Sequence, residues 1–346
     1  MGTDARATHA GGNPVKAGPR LLGCSRLTIE RSELWAETAD GWSLHVVRTR
    51  DLAHEDRARR PLLIVPGYGM NAFIFGFHPR GTSLEAHLAG AGIDVWTANL
   101  RGQGQSRRAR ASAPGPTMAR YADLDVTAAI ELVLGQTGAE RVDVLGASLG
   151  GSITFAHLAL RDQQHRVGSL IAVGSPLRWD EVPLVLRIPF ASRRVAGALR
   201  VSGARRMAEA VLPIARRAPA LLGMYMNAAH VDLGAASELV RTVEDPEPAV
   251  NRDIAGWMKT RDLVVEGVNV TDAMAREKGR LLVVLANRDG IVPERVASSA
   301  ARAWGGRTET LRIGTDDDWY AHADLFVGDD APRVVFEPIA RWLREA

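Results

Sequence analysis

The amino-acid sequence predicts an α/β protein, with a doubly wound, mostly parallel sheet and an inserted helical cap. Short apolar runs that end at Gly or Pro alternate with segments whose apolar residues recur at helical spacing. Strands that alternate with helices need crossover connections, which place helices on both faces of a parallel sheet. The alternation stops for about a hundred residues after Pro176, which is too long for a plain loop.

The first predicted elements are two strands around Asp40-Gly41, because Asp-Gly is a common hairpin turn. After a charged loop, four predicted strands alternate with three predicted helices up to Pro176. Beyond the interruption, the order is strand, helix, strand and a closing helix. In chain order the predicted elements cover residues 34–38, 42–50, 62–65, 82–91, 93–99, 121–134, 141–145, 148–160, 170–173, 281–286, 296–304, 308–313 and 334–344. The helix over 121–134 is predicted to end at Gly135.

The domain organisation follows from these elements. Residues 1–26 are small, polar and rich in Gly and Pro, which predicts a disordered tail. Residues 27–176 and 277–346 are predicted to form the core. Residues 177–276 contain several short apolar segments at helical spacing and no strand–helix alternation, which predicts the cap.

Composition limits the classes of function. The chain of 346 residues is 46% hydrophobic and has a formal net charge of only +3, which gives no support to a nucleic-acid partner. The single cysteine, Cys24, excludes an internal disulfide and a cysteine metal cluster. The N-terminus lacks the apolar run of a signal peptide, and no run is long enough to span a membrane. We therefore expect a cytoplasmic protein, and the oligomeric state is not predicted.

The strand predicted over residues 141–145 leads directly into GASLGG (146–151) and then into a helix. The bare G-x-S-x-G pattern is common by chance, but between a strand and a helix it has a mechanical meaning. Small residues relieve the crowding of a tight turn that projects the Ser148 hydroxyl from the sheet edge. The helix N-terminus then faces developing negative charge. This predicts Ser148 as the nucleophile and the Leu149 N–H as an oxyanion donor.

A second oxyanion donor is expected in the loop PGYGMN (66–71), which follows the first strand after the hairpin. Gly67 and Gly69 allow the backbone to approach a substrate closely, and Tyr68 is in position to donate its N–H. An ordinary Gly-rich turn is the alternative.

The general base and its orienting acid are predicted beyond the cap. A serine hydroxyl needs a base, and the expected chain order is Ser, then Asp or Glu, then His. Asp289 lies in NRDGIVP (287–293), after the strand predicted over residues 281–286, and His322 lies in the loop before the last helix. Alternatives for the acid are Asp180 and residues 316–318. Of nine histidines, only His322 lies in this final loop.

Together these motifs resemble the α/β-hydrolase superfamily from about residue 34 to the C-terminus. The matching segments are PGYG, NLRGQGQS (99–106), GASLGG, NRDGIVP and HADLF (322–326). PGYGMNAFIF and HADLF are also similar to acid-lipase-like and polyhydroxyalkanoate-synthase-like members. The synthases use Cys as nucleophile, and dehalogenase and epoxide-hydrolase relatives use Asp, so Ser148 favours hydrolysis through an acyl-enzyme. Pro66 departs from the His that many members have there.

The expected activity is hydrolysis of a carboxylic ester, hydrophobic or lipid-like, by a Ser-His-Asp triad without metal or cofactor. Met224 and Met226 lie in an apolar segment suited to an acyl pocket, although core packing is the alternative. An acyltransferase with the same triad and a non-catalytic binding protein on this fold stay open as alternatives.

The first part of the cap is strongly basic. Residues 177–217 hold nine arginines and three acidic residues, with paired arginines between apolar stretches. A solvated helix face is the simpler interpretation, and weak contact with an anionic membrane surface is the alternative.

Overall fold

The computed structural model of the chain describes residues 28–199, 202–217 and 222–345. Its centre is a nine-stranded sheet, and a two-stranded hairpin lies within residues 177–276, the segment predicted as a cap and called the cap below. The predicted disordered tail, residues 1–26, lies outside the described residues. The strands are β1 (Ile29–Glu37), β2 (Trp42–Asp51), β3 (Leu62–Val65), β4 (Val95–Ala98), β5 (Arg107–Arg108), β6 (Val142–Ala147), β7 (Val167–Val173), β8 (Val264–Val265), β9 (Val268–Asn269), β10 (Arg280–Ala286) and β11 (Thr308–Ile313).

The main sheet has the strand order β1-β2-β4-β3-β6-β7-β10-β11, and β5 pairs with β2. β1 and β2 form the predicted antiparallel hairpin, and β2 is also antiparallel to β4. All pairs from β4 to β11 are parallel. The carboxyl ends of β3, β6, β7, β10 and β11 therefore meet at one edge of the sheet, where open α/β sheets bind ligands.

Helices cover both faces of this sheet, as the alternation predicted. One buried apolar cluster includes residues of α3, α4 and α12, and the other includes residues of α1, α13 and α14. The helices are α1 (Leu84–Gly90), α2 (Met118–Arg120), α3 (Val126–Thr137), α4 (Leu149–Arg161), α5 (Leu184–Arg187), α6 (Arg193–Ala198), α7 (Ala204–Arg217), α8 (Ala236–Leu239), α9 (Pro248–Thr260), α10 (Val270–Ala273), α11 (Glu294–Ala297), α12 (Ser299–Ala303), α13 (Asp324–Val327) and α14 (Glu337–Arg344).

The observed helix bounds differ from the predicted ones by a few residues, and in two helices the structure shows the physical reason. The helix predicted to end at Gly135 continues to Thr137 and ends at Gly138, which adopts the left-handed conformation at φ 73°. A single glycine is tolerated inside a helix, whereas this cap requires a positive φ. The helix predicted over 296–304 is divided into α11 and α12. Ser298 lies at the division, and its hydroxyl donates to the Glu294 carbonyl at 2.7 Å, a bond that often bends helices.

Between β7 and β10, the described residues form helices α5 to α10, together with one hairpin that the sequence did not predict. Strands β8 and β9 are only two residues each and join through Glu266 and Gly267, both at positive φ. Such a turn suits a two-residue hairpin, but Glu-Gly is not among its common sequences. In the described part of the chain, no helix is both long and apolar enough to cross a membrane. The cytoplasmic location and the domain boundaries stay predictions.

Candidate active site

Ser148 lies between the end of β6 and the start of α4, in a strained conformation with φ 52° and ψ −122°. Its neighbours must be small because β6, α4 and β3 approach one another closely. A Cβ on Gly146 would lie 2.4 Å from Cα of Gly151, and one on Gly150 would lie 2.1 Å from the Val65 carbonyl oxygen. These contacts give the physical reason for the predicted pattern, and they leave the Ser148 side chain only half-buried at the sheet edge.

The loop after β3 packs directly against this turn. A Cβ on Gly67 would lie 2.9 Å from both Cβ of Ser148 and the Ala147 carbonyl oxygen. Neither the Leu149 N–H nor the Tyr68 N–H donates a hydrogen bond to another residue in the described ranges. For Leu149 this follows from its place in the first turn of α4. Two unpaired donors next to a serine are the composition of an oxyanion hole.

The side chain of Tyr68 has a separate, structural contact. Its hydroxyl donates to Oδ1 of Asn251 on α9 at 2.6 Å. Burial raises the pKa of Tyr68 to about 12, although the hydrogen bond to Asn251 opposes the shift. The phenol therefore stays protonated, and its hydrogen bond joins the loop of residues 66–71 to helix α9 of the cap.

The predicted acid and base form a buried pair. Nδ1 of His322 lies 2.6 Å from Oδ2 of Asp289, and the other oxygen of Asp289 accepts the N–H groups of Ile291 and Val292, each at 2.8 Å. A carboxylate only accepts, so it places the imidazole proton on Nδ1 and leaves Nε2 as the basic atom. The backbone N–H groups of the turn after Asp289 thus orient its carboxylate, and the carboxylate in turn orients the imidazole of His322.

Opposing effects act on the pKa of His322. Burial alone would lower it, but the carboxylates of Asp289 and Asp324 and the hydrogen bond to Asp289 outweigh burial and raise it above 6.5. The imidazole is therefore disposed to accept a proton and to hold it while negative charge forms nearby.

His322 lies at the carboxyl edge of the strands that carry the serine. A Cβ on Gly174, just after β7, would lie 3.0 Å from Cε1 of His322, and the Ser148 N–H donates to the Val173 carbonyl at 2.8 Å. Within the described residues, no hydrogen bond joins the Ser148 hydroxyl to the imidazole. Such bonds often tighten only in the complex with substrate.

Two of the alternative acids are paired with other side chains, and the other two, Asp316 and Asp317, are exposed to solvent. Asp180 pairs with Arg178 and Arg302, and Asp318 pairs with His230. Buried His157 bonds the Ala122 carbonyl through Nδ1 at 2.8 Å. In the part of the chain that the structure covers, no group of three or more His, Cys, Asp or Glu residues could hold a metal ion.

The cap segment of residues 224–230 lies against the loops of both Asp289 and His322. Met224 is half-exposed, whereas Met226 packs against buried core residues, which is the alternative that the sequence left open. The ring of Tyr225 lies 6.1 Å from that of His322. No sequence pattern singles out Tyr225, although it stands between the two methionines.

A second cap segment, residues 242–244, forms hydrogen bonds with the loop of residues 66–71 that follows β3. The Asn71 N–H donates to the Thr242 carbonyl at 2.9 Å, and the Glu244 N–H donates to the Gly69 carbonyl at 2.8 Å. The Asn71 side chain also donates to Glu244. Residues of the cap thus contact the loop after β3 and the loops of Asp289 and His322.

Comparison with known proteins gives the same fold. The family model of the alpha/beta hydrolase fold matches residues 60–319. An esterase from Thermogutta terrifontis superposes with a TM-score of 0.62 at 20% identity, covering 91% of this chain and 98% of that chain. For the 2-hydroxy-6-oxo-6-phenylhexa-2,4-dienoate hydrolase from a Rhodococcus strain, the TM-score is 0.58, the identity 18%, and the coverage 92% and 100%. At these identities, the likeness is one of fold.

Human lysosomal acid lipase/cholesteryl ester hydrolase is 29% identical over 155 residues. The aligned region is 41% of this chain and 38% of the human protein, so the chain matches less than half of that relative's length.

Proposed function

This chain belongs to the α/β-hydrolase family, and from that premise we propose that it is a serine esterase that works through an acyl-enzyme. The observation that carries the proposal is the buried His322–Asp289 pair, at 2.6 Å, at the sheet edge that presents Ser148. Nucleophile, base and orienting acid occur in the chain order expected for this fold. Each lies on a loop at the carboxyl end of a parallel strand.

The proposed reaction is acyl transfer in two steps. His322 takes the proton of the Ser148 hydroxyl through Nε2, and the alkoxide attacks the ester carbonyl. The N–H groups of Leu149 and Tyr68 stabilise the oxyanion, and the imidazolium then protonates the leaving alcohol. Water repeats the sequence and releases the acid. Asp289 stabilises the imidazolium and keeps its orientation throughout.

A hydrophobic or lipid-like ester is the proposed substrate class. The half-exposed side chains of Met224 and Tyr225 lie on the cap segment beside the catalytic loops, where they could contact an acyl chain. The partial similarity to a cholesteryl ester hydrolase agrees with this class. An ester series of graded acyl length would test the preference.

Two alternatives to hydrolysis remain. An acyltransferase would use the same residues and differ only in the acceptor, so product analysis with and without an added alcohol distinguishes it. A non-catalytic binding protein would keep the fold without turnover.

Contact of the cap with an anionic membrane surface also stays a proposal. Leu184 and Ile188 are 75% and 81% exposed, which supports it. Arg193 and Arg205 donate to backbone carbonyls within the cap, which favours a structural role for those two side chains.

The proposed function predicts that Ser148→Ala lowers kcat for p-nitrophenyl ester hydrolysis by about 10⁶-fold, because the nucleophile is lost. The matched control is Ser152→Ala, one turn along α4, whose hydroxyl donates to the Pro176 carbonyl at 2.6 Å. We expect Ser152→Ala to keep turnover and both variants to keep the wild-type circular dichroism spectrum. Undiminished hydrolysis by purified Ser148→Ala protein would contradict the assignment.

A further inference from the structure

A buried carboxylate with no part in the proposed chemical steps lies two residues beyond His322. Asp324 is fully buried. Its Oδ2 accepts the Ala321 N–H at 2.7 Å, and its two oxygens accept the Asn227 N–H at 3.0 and 2.9 Å. One of these donors precedes the catalytic histidine, and the other belongs to the cap. Asp324 therefore bonds to both sides of a junction.

The same junction has further hydrogen bonds. We call cap residues 224–230 the strap. The Ala323 N–H donates to the Tyr225 carbonyl at 2.8 Å, and the Asn227 side chain donates to the Trp319 carbonyl at 2.8 Å. The strap thus receives and gives bonds on both sides of His322.

The strap also contacts the loop of the orienting acid. The Gly290 N–H donates to the Met224 carbonyl at 3.0 Å. A Cβ on Gly290 would lie 2.8 Å from Cα, Cβ and the carbonyl oxygen of Met224, so only glycine permits this approach. The strap therefore joins the acid and base loops through its own backbone.

We propose that Asp324 is a positioning residue that fastens the His322 loop to the strap, making this part of the cap a fixed wall of the active site. The inference rests on the proposed function for its catalytic consequence. Asp324 acts through the backbone on either side of the imidazole. Its carboxylate is needed because it accepts two backbone N–H groups that are buried with it, and buried donors left without a partner are costly.

The charge of Asp324 also acts on the base. Its carboxylate is one of the groups that raise the pKa of His322 against the opposing effect of burial. The other titratable groups facing the imidazole are Asp289 and Tyr225. Asp324 itself is faced by His230, Asp289, Tyr225 and Tyr320. Burial raises the pKa of Asp324 to about 6 in spite of its two backbone donors. It is therefore ionised in the range above pH 6 in which His322 titrates.

The test compares Asp324→Ala and Asp324→Asn with wild type on p-nitrophenyl acetate, whose acetyl group is too small to need contacts with the side chains of the cap. Asp324→Ala is expected to lower kcat tenfold or more, with KM within about twofold, because the base is displaced while substrate contacts remain. Asp324→Asn keeps one accepting oxygen, so we expect it to restore most of kcat at pH 8. In both variants the acidic limb of the pH profile moves to lower pH, because a charge that favours the imidazolium is gone.

The matched control is Asp51→Ala. Asp51 is equally buried and also accepts a backbone N–H, that of Ala53 at 3.1 Å, but it lies on β2 near the opposite edge of the sheet. Loss of a buried carboxylate in general would lower activity by the same factor at every pH, in both alanine variants. A positioning role predicts the kcat loss and the shifted limb for Asp324 alone.

Hydrogen exchange measured by mass spectrometry gives a readout that does not need turnover. In Asp324→Ala, we expect faster exchange in peptides covering 224–230 and 319–327, with no such change in Asp51→Ala. Unchanged exchange in both peptides, or a kcat and pH limb equal to wild type, would overturn the inference. If wild-type protein hydrolyses no ester, the proposed function fails, and the exchange result still decides whether Asp324 fastens the strap.

Discussion

Ser148 has a backbone conformation that costs a non-glycine residue of the order of 1–3 kcal/mol. Its φ of 52° and ψ of −122° are maintained by a turn in which glycines on both sides of the serine meet backbone of α4 and β3. Strain of this size persists only where the surroundings determine it, and such positions cluster at active sites. At this residue, the strain directs a hydroxyl outward from the end of a buried strand.

In the proposed mechanism, His322 determines the pH dependence of activity. Its pKa is raised above 6.5, since Asp289 and Asp324 outweigh burial. The base must be neutral to accept the serine proton, so kcat/KM is expected to rise with pH through a midpoint above 6.5. A pH–rate profile measures this midpoint directly.

The variant Asp289→Asn supplies the control for that profile. Replacing the carboxylate that lies 2.6 Å from Nδ1 by a neutral amide removes the charge that favours the imidazolium, which moves the limb to lower pH. It also lowers kcat, by about 10⁴-fold in a triad of this kind. A wild-type limb centred below 6.5, or one that does not respond to Asp289→Asn, would count against His322 as the base.

At the scale of elements, the site depends on how closely α4 approaches β3. A Cβ on Gly150 would lie 2.1 Å from the Val65 carbonyl oxygen and 2.7 Å from that of Pro66. Both are backbone atoms, so no side-chain rotation relieves the contact. We expect Gly150→Ala to reduce the free energy of unfolding by about 3 kcal/mol or more, measured by urea denaturation.

The matched control is Gly135→Ala in α3, where an added Cβ meets nothing within 4 Å. Alanine has the higher helix propensity, so this change is expected to stabilise the protein by a few tenths to about 1 kcal/mol. Equal effects of the two substitutions would contradict the account of the close α4–β3 packing.

The sequence predicted most elements of the core because several of its parallel strands, such as β3 and β4, are short and fully buried. Strand β11 has the predicted bounds, and the observed ends of β6 and β10 lie within two residues of the ends predicted for them. The hairpin of β8 and β9 escaped prediction, because its strands are too short for any alternation to show. Its Glu-Gly turn is also an unusual one.

At the scale of the whole molecule, the sheet brings together three loops that are far apart in the chain. Motif and chain order were enough to select Ser148, Asp289 and His322, because the fold places strand ends at one edge. The contribution of the cap could not be predicted, since the strap contacts both loops largely through backbone atoms, which leave no pattern in the sequence. Among the residues of this junction, Asp324 was the easiest to recognise from the sequence, because its carboxylate lies within the HADLF motif.

The central claim is that Ser148 is a nucleophile activated by His322. The most direct test is labelling of the intact protein by a fluorophosphonate, with the modified residue located by peptide mass spectrometry. We expect one adduct per chain, on Ser148, which is absent from Ser148→Ala and forms much more slowly in His322→Ala. Labelling at another serine, or an unchanged rate in His322→Ala, would contradict it.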